Sequence, residues 1–502
     1  MKKATLYFTS DMHGYVFPTD YRDDTTKAMG MLAVMNNYKK DGNTIILDAG
    51  DTIQGSPFTT YLSQYPQDIH PIATVMNEAG YDYVTLGNHE FNYGYDYLAS
   101  YVNHLNAKVL CANVTDKTNQ LPIFNSDIKV LENGLKVGVI GFTTEFIPVW
   151  EKAQNLTHFD VLETFEAVKV AHDELRQQVD VLVGLYHGGF EADIHTHEIL
   201  SPSAENVGYK ICSKLQFDVL LTGHQHMPIP SHQIHKTHIV QTTHNATSYV
   251  KVEIEVGDEM TISSNLHEPS TAIYEPLAQT LMPLQQKVQA WLDTAVGHLN
   301  VSLQPTTHLD MALHGTQLAN FINQVQLEVS GADIACTSFA NSIKGFNQDV
   351  TVRDIVSTYV FPNTLVVRRV TGEVLKQVLE VCASYFAYDD GQVSISRDFT
   401  YPKESHYNYD YFANMFYEFD ITRPVGDRVV SMKFAGENIL PQQELTLVMN
   451  NYRSSGVGGY EAYLDCEIIQ DIQVEMTEVI INYFMKHQNV TVDDTTYYMV
   501  KR

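Results

Sequence analysis

Residues 81–94 read Tyr-Asp-Tyr-Val-Thr-Leu-Gly-Asn-His-Glu-Phe-Asn-Tyr-Gly. A run rich in aromatic and β-branched residues stops at Leu86 and gives way to Gly87, Asn88, His89 and Glu90. A run of that composition bounded by turn residues predicts a strand, and the polar cluster behind it predicts a tight loop. The pattern recurs on either side. Further apolar runs occupy 4–9, 44–48, 137–142, 181–186 and 217–221. The first is followed by Asp11-Met-His13-Gly14, the second by Gly50-Asp51, the fourth by His187-Gly-Gly and the last by Gly223-His224-Gln-His226. Helical patterns at 28–39, 69–79 and 165–178 fall between the runs, the third with an apolar stripe at Val168, Ala171 and Leu175. Strands alternating with helices predict a layered α/β domain, and in such domains the chemistry collects where strands end.

Five strand ends therefore deliver two Asp, one Asn and several His to one rim. Side chains alternate along an extended segment, so Asp-x-His at 11 and 13 and His-x-His at 224 and 226 each place two ligands on one side. Each fragment has an ordinary reading: Asp-x-His is common, Gly-Asn-His-Glu is also a turn with a helix start, and a single His before Gly-Gly is usually a satisfied core residue. The conjunction of all five is what points to metal. Mixed carboxylate, amide and imidazole donors suit Mn, Zn or Fe better than the all-oxygen shells of Ca or Mg. A carboxylate shared by two such ions holds them roughly 3.5–4 Å apart, the arrangement of phosphatases and nucleases.

Composition bounds the reading. At 502 residues the chain exceeds what one core usually serves, so two domains are expected. With 32 Lys and Arg against 60 Asp and Glu, its net charge is −28. That charge disfavours nucleic-acid polymers and anionic membranes as partners, while a small phosphate ester remains compatible with a site that brings its own positive charge. The five cysteines, at 111, 212, 336, 382 and 466, are too scattered for a disulfide framework or a zinc ribbon. Asp11 interrupts the first apolar run and no stretch reaches the eighteen apolar residues of a membrane span, so a cytoplasmic protein is expected.

With these residues in this order, the chain resembles the calcineurin-like metallophosphoesterases and, within them, the 5′-nucleotidase family. The resemblance implies two packed sheets flanked by helices, a four-layered domain, followed by a smaller α+β domain. Expected boundaries are 1–265 for the metal domain, 266–309 for a linker with a helix at 276–299, and 310–502 for a nucleotide-binding domain ending in a helix at 473–486. It further implies two divalent metal ions, the first held by Asp11, His13, Asp51 and His226 and the second by Asp51, Asn88, His187 and His224, with Asp51 bridging. A metal-bridging hydroxide would attack phosphorus in line, and His89 would protonate the leaving oxygen. Two divalent cations outweigh two Asp and one hydroxide, so the site draws in phosphate despite the acidic surface. The sequence departs from the family at Asn92, where many 5′-nucleotidases carry an Asp that orients the histidine ring; Asp96 is the nearby substitute.

In the second half, Tyr359-Val-Phe361-Pro362-Asn363-Thr364-Leu365, the tyrosines of 407–417 and Asn450-Asn451-Tyr452-Arg453-Ser-Ser-Gly456 look like the family's C-terminal domain. The Phe-Pro-Asn-Thr-Leu and Asn-Asn-Tyr-Arg stretches, with Gly87-Asn-His-Glu-Phe-Asn-Tyr-Gly94 earlier, are most similar to its 2′,3′-cyclic-nucleotide phosphodiesterase/3′-nucleotidase branch. An aromatic pair sandwiches a base for about 1–3 kcal/mol per face. Tyr452 is one expected face and Tyr409 the other, with Tyr407 and Tyr411 as rivals and half-buried core as the plain alternative. Asn341, Lys344 and Arg453 are the expected polar contacts, although Lys is a weaker fork for phosphate than the Arg of 5′-nucleotidases. Metals on one domain and a base clamp on the other suggest hinged closure over substrate. The expected activity is metal-dependent hydrolysis of 2′,3′-cyclic nucleotides and 3′-nucleotides. A 5′-nucleotidase or nucleotide-sugar hydrolase is the nearest alternative, and a non-catalytic nucleotide sensor a more distant one.

Overall fold

The computed structural model describes every residue except 24, 201–203, 362 and 473. The chain forms two compact units, Met1–Gln289 and Ala290–Arg502.

In the first unit a seven-stranded sheet runs in the order Met260–His267, Tyr249–Val256, Lys2–Thr9, Thr44–Asp48, Tyr83–Val84, Lys108–Leu110, Ile123–Phe124. A six-stranded sheet runs Ile229–Ile234, Thr237–Gln241, Val219–Thr222, Val181–His187, Lys136–Thr143, Ser126–Val130. Lys2–Thr9, Thr44–Asp48 and Tyr83–Val84 in the first sheet, and Lys136–Thr143, Val181–His187 and Val219–Thr222 in the second, are parallel and largely buried, which is why they read as continuous apolar runs. Val181–His187 shows how each face is used. Val181, Val183 and Leu185 join Leu6, Phe8, Ile45 and Leu47 in one core. Leu182 and Tyr186 turn the other way, into a core with Val168, Ala171 and Leu175 of helix Thr164–Leu175. Helix, sheet, sheet and helix are thus stacked as expected. Because the parallel strands share a direction, their carboxyl ends share an edge, and the loops after Thr9, Asp48, Val84, His187 and Thr222 leave from it.

Three local expectations need correction. The pattern at 28–39 forms only helix Met31–Met35, because Gly30 holds φ 98° with its backbone against Phe17; a Cβ there would meet the Phe17 carbonyl oxygen at 2.5 Å. Residues 263–269, where the strand pattern of 250–256 is lost in the sequence, fall largely in the edge strand Met260–His267, half exposed and paired antiparallel with Tyr249–Val256. The helix expected at 276–299 runs Glu275–Leu292; residues Ala295–Leu299 pair instead with Asp349–Thr351 and Asn489–Val490. The apolar stripe at Leu277, Leu281, Leu284, Val288 and Leu292 ends where the helix ends, and the strand beyond it is set by pairing with segments far along the chain, which periodicity does not show.

The second unit is α+β. Its central sheet runs Tyr411–Ala413, Ile334–Thr337, Glu444–Asn450, Leu365–Thr371, Ile468–Ile472, with helices Gln317–Ser330 and Gly372–Ala383 contributing to one large core. The C-terminal helix is Met476–Lys486; Gln473, its expected first residue, lies outside the described residues. All five cysteines are free. Among the described residues no helix is long and apolar enough to cross a membrane.

Within this core lies an ion pair between Arg453 Nε and Asp410 Oδ2 at 2.7 Å, each side chain 1% exposed. The remaining guanidinium nitrogens donate to the carbonyls of Val457 and Tyr407, and its plane lies 3.8 Å from the Tyr460 ring centroid. Removing one partner of such a pair leaves an uncompensated buried charge. R453A should therefore lose about 3–5 kcal/mol in urea unfolding of the second unit, and a loss below about 1 kcal/mol would refute a stabilising role for the pair.

Candidate metal centre

Five residues at the strand ends adopt left-handed backbone: Asp11 (φ 55°), His13 (49°), Asp51 (54°), His224 (69°) and His226 (57°). Asp, Asn and His tolerate this region better than other side chains, yet each such residue costs of order 1–3 kcal/mol. Concentration of that strain on these residues turns their side chains inward. Glu90, whose role the sequence does not reveal, fixes the loops: its buried carboxylate accepts the backbone N–H groups of Asp51 (2.7 Å), Thr52 (2.6 Å) and Gly87 (2.6 Å). Gly87 is required by closeness. A Cβ there would lie 2.2 Å from Asp51 Oδ1 and 2.8 Å from His187 Cε1.

Two groups of ligand atoms gather, Asp11 with His13 and His226, and Asp51 with His187 and His224, each group within 4.8 Å. Hydrogen bonding decides which ring nitrogens are bare. His13 Nδ1 donates to the Gln54 carbonyl (2.9 Å) and His187 Nδ1 to the Ala49 carbonyl (2.8 Å), leaving both Nε2 atoms free. His224 is held the other way round, with Nε2 facing Glu205 Oε1 at 3.1 Å and Nδ1 turned inward. Such outer partners orient metal-binding histidines.

The atoms of each group then face one another. Asn88 Oδ1 lies 3.0 Å from both His187 Nε2 and His224 Nδ1, and His187 Nε2 lies 3.2 Å from Asp51 Oδ2. In the other group, His226 Nε2 is 3.3 Å from both His13 Nε2 and Asp11 Oδ1. Acceptors at these separations call for a proton or a metal ion between them, and the donor set of carboxylates, amide oxygen and imidazoles fits two divalent ions. The titration shifts express the same demand. Burial pushes His13 down to about 4, keeping its ring neutral as a ligand must be. Burial also works against charge on His187, but Asp51 prevails and raises it to about 10, so a proton fills the gap when no metal does. For Asp11 and Asp51 burial favours the neutral acid, and the surrounding histidines overcome it, holding both carboxyls below their ordinary value.

His89 stands beside this cluster. Its backbone N–H donates to Asp51 Oδ1 at 2.7 Å, and its Nε2 lies 4.0 Å from Asp51 Oδ2. Nδ1 faces Asn92 Oδ1 at 2.6 Å. The substitute expected at Asp96 is not what backs this amide: Asp96 is exposed in the first turn of helix Tyr95–His104, and the carboxylate behind Asn92 belongs to Glu151, whose Oε2 accepts from Asn92 Nδ2 at 2.5 Å. Fifty-nine residues separate Asn92 from Glu151, and no sequence signal joins them.

The residues expected to bind substrate are treated unequally by the second unit. Tyr452 is partly exposed and meets Tyr407 edge-on at 6.3 Å, and Tyr407 in turn meets Phe361 at 6.4 Å. Phe361, to which the sequence assigns no role, is 39% exposed; Pro362 beside it lies outside the described residues. Tyr409 needs correction. It is 2% exposed, packed against Tyr385, Phe386 and Tyr411, and its hydroxyl donates to the Ala312 carbonyl, so neither ring face is open to a base. Arg453 likewise serves the buried pair with Asp410 and is not open to a ligand. Asn341 is exposed; its side chain accepts from the His406 N–H and donates to the Glu404 carbonyl. Lys344 lies 3.6 Å from Asp354.

Residues 4–228 match the calcineurin-like phosphoesterases, and residues 295–465 match the 5′-nucleotidase C-terminal domain. The chain belongs to the calcineurin-like phosphoesterases that carry this second domain, a class of metal-dependent phosphoric ester hydrolases. A solved structure from Staphylococcus aureus, assigned by its name to the 5′-nucleotidases, is 32% identical with a TM-score of 0.90, and the match covers 100% of both chains. A 2′,3′-cyclic-nucleotide 2′-phosphodiesterase/3′-nucleotidase of Haemophilus influenzae is 26% identical over 89% of this chain and 79% of its own length. A trifunctional nucleotide phosphoesterase of Bacillus subtilis is 25% identical over 97% of this chain, which corresponds to 38% of that longer protein.

The close approach at Gly87 yields a test. In G87A the added methyl must displace Asp51 or His187, so bound metal measured by elemental analysis after gel filtration should fall below half that of the wild type. Full metal content in G87A would show that the loop yields to the methyl without disturbing either ligand.

Proposed function

We propose that this chain hydrolyses nucleotide phosphate esters, opening 2′,3′-cyclic nucleotides and then removing the 3′-phosphate. The observation that carries the proposal is the convergence of metal-ligating side-chain atoms around Asn88 Oδ1, with His89 alongside. Asp11, His13, Asp51 and His226 would hold one divalent ion, and Asp51, Asn88, His187 and His224 the other, Asp51 serving both; Mn, Zn and Fe suit these donors. When bound, the two ions supply positive charge to the phosphate oxygens and lower the pKa of coordinated water to about 7.

The chain's own residues do the rest. Carbonyls of Gln54 and Ala49 and the carboxylate of Glu205 keep three imidazoles oriented as ligands. Water adds to phosphorus and releases one proton to solvent, the P–O ester bond breaks opposite it, and His89 Nε2 hands a proton to the departing sugar oxygen and regains one from solvent. With Tyr409 in the core, Tyr452 and Phe361 are the aromatic surfaces for the base, and Tyr407 packs edge-on to each. Asn341 and Lys344 are retained as polar contacts to the substrate.

Preference for cyclic and 3′ substrates rests on the similarity of the Gly-Asn-His-Glu and Asn-Asn-Tyr-Arg segments to that branch, and on Lys344 where 5′-nucleotidases carry arginine. The Staphylococcus aureus similarity favours the second reading, hydrolysis of 5′-nucleotides. Phosphate release from 2′,3′-cyclic AMP (with a phosphatase chase), 3′-AMP, 5′-AMP and a nucleotide sugar, with and without Mn, separates them. Activity on the first two that vanishes on chelation is the expected result; activity on 5′-AMP alone would establish the second reading.

Two substitutions test the roles. H89A should lower kcat by about 10²–10⁴-fold while metal content is retained. Y452A should raise KM for nucleotides by about 5–150-fold and leave bis-p-nitrophenyl phosphate hydrolysis unchanged, because only the stacked base is lost. Equal losses on both substrates would refute the assignment of Tyr452.

A further inference from the structure

We infer that Glu151 is a positioning residue for His89, acting through Asn92 by hydrogen-bond polarity. The inference rests on the phosphoesterase reading above and adds a residue to it. An asparagine side chain is ambiguous as an orienting group, since one end accepts and the other donates. Facing an imidazole unaided, it can turn either end to the ring. Here one end is committed. Glu151 as a carboxylate only accepts, so Asn92 must present Nδ2 to it, at 2.5 Å. Asn92 Oδ1 is then left for His89, 2.6 Å from Nδ1, and an oxygen there requires Nδ1 to carry the proton. With Nδ1 holding its own proton against Asn92, Nε2 is the nitrogen that takes up the second ring proton and gives it to the leaving oxygen.

The carboxylate is itself pinned. Glu151 follows the one-turn helix Ile147–Trp150, and its Oε1 accepts from the Lys152 backbone N–H (2.7 Å) and from Asn155 Nδ2 (2.9 Å). Asn155 Nδ2 also donates to the Asn92 backbone carbonyl at 3.0 Å. His89, Asn92, Glu151 and Asn155 thus form a cluster in which the carboxylate, by accepting from both amides, fixes which end of Asn92 faces the ring. The negative charge an aspartate would place next to the ring is moved one side chain outward.

E151Q is the informative variant, because it keeps size and removes the enforced polarity: a Gln amide can turn its NH2 to Asn92 as readily as its oxygen. Wild type is assayed first, on the nucleotide panel and on bis-p-nitrophenyl phosphate, whose phenolate leaves without a proton. On the nucleotide that wild type turns over fastest, E151Q should lower kcat about tenfold with KM within about twofold, and on bis-p-nitrophenyl phosphate its kcat should stay within about twofold. N92D should also lose activity, since two carboxylates would then face each other. N92D/E151Q should regain kcat to within about threefold of wild type, an acceptor facing His89 and a donor facing Asp having been restored.

Wild-type kcat in E151Q, an equal loss on both substrates, or a double variant worse than either single one would each overturn the inference. If wild type hydrolyses no ester, the phosphoesterase reading fails and the relay is decided without turnover. Long-range 1H–15N correlation spectra of the zinc-loaded protein, with His89 assigned by its loss in H89A, report which ring nitrogen is protonated. The inference expects Nδ1 in wild type and a mixture in E151Q; identical spectra would overturn it.

Discussion

Asn88 Oδ1 and Asp51 Oδ2, acceptors within 3.2 Å of His187 Nε2, call for a proton or a metal ion between them, and that demand organises the site. Asn88 Oδ1, His187 Nε2, His224 Nδ1 and Asp51 Oδ2 are brought together while the outer nitrogens of both rings are already engaged. Nothing within the cluster can satisfy them except a proton or a metal. Holding such a cluster takes left-handed backbone at Asp11, His13, Asp51, His224 and His226, and a buried Glu90 that gathers the N–H groups of two loops. The rigid parallel strands beneath supply the stability against which that strain is maintained.

Electrostatics explains why so acidic a chain suits an anionic substrate. The net charge of −28 is spread over the molecule, whereas the field at the reacting phosphorus is set by the nearest charges. Near His89 the Glu151 carboxylate is kept one amide away from the ring. An aspartate at 92 would bring that charge into contact with the imidazole; the relay leaves orientation in place with a weaker field.

In the second unit the same residue types do two different jobs, and burial sorts them. Tyr452, Tyr407 and Phe361 retain solvent contact, and Tyr407 meets each of the other two edge-on. Tyr409, Tyr411 and Tyr417 are close in sequence and buried in the core. Arg453, next to Tyr452, is spent on Asp410 and on the backbone carbonyl of Tyr407, so it supports the aromatic surface from beneath.

The sequence by itself determined the layered class, the strands carrying the site and the set of residues at their ends. These are local matters: apolar runs, period-two side chains and glycines that punctuate them. It also located the departure at Asn92. Only the tertiary structure decided that 295–299 is a strand, that Tyr409 is core, that Glu90 ties two loops and that Glu151, not Asp96, stands behind Asn92. Each of these depends on which distant segments touch. Sheet register, burial and the partner of a hydrogen-bonding side chain are pairwise facts between residues far apart in the chain, and one sequence records only the residues.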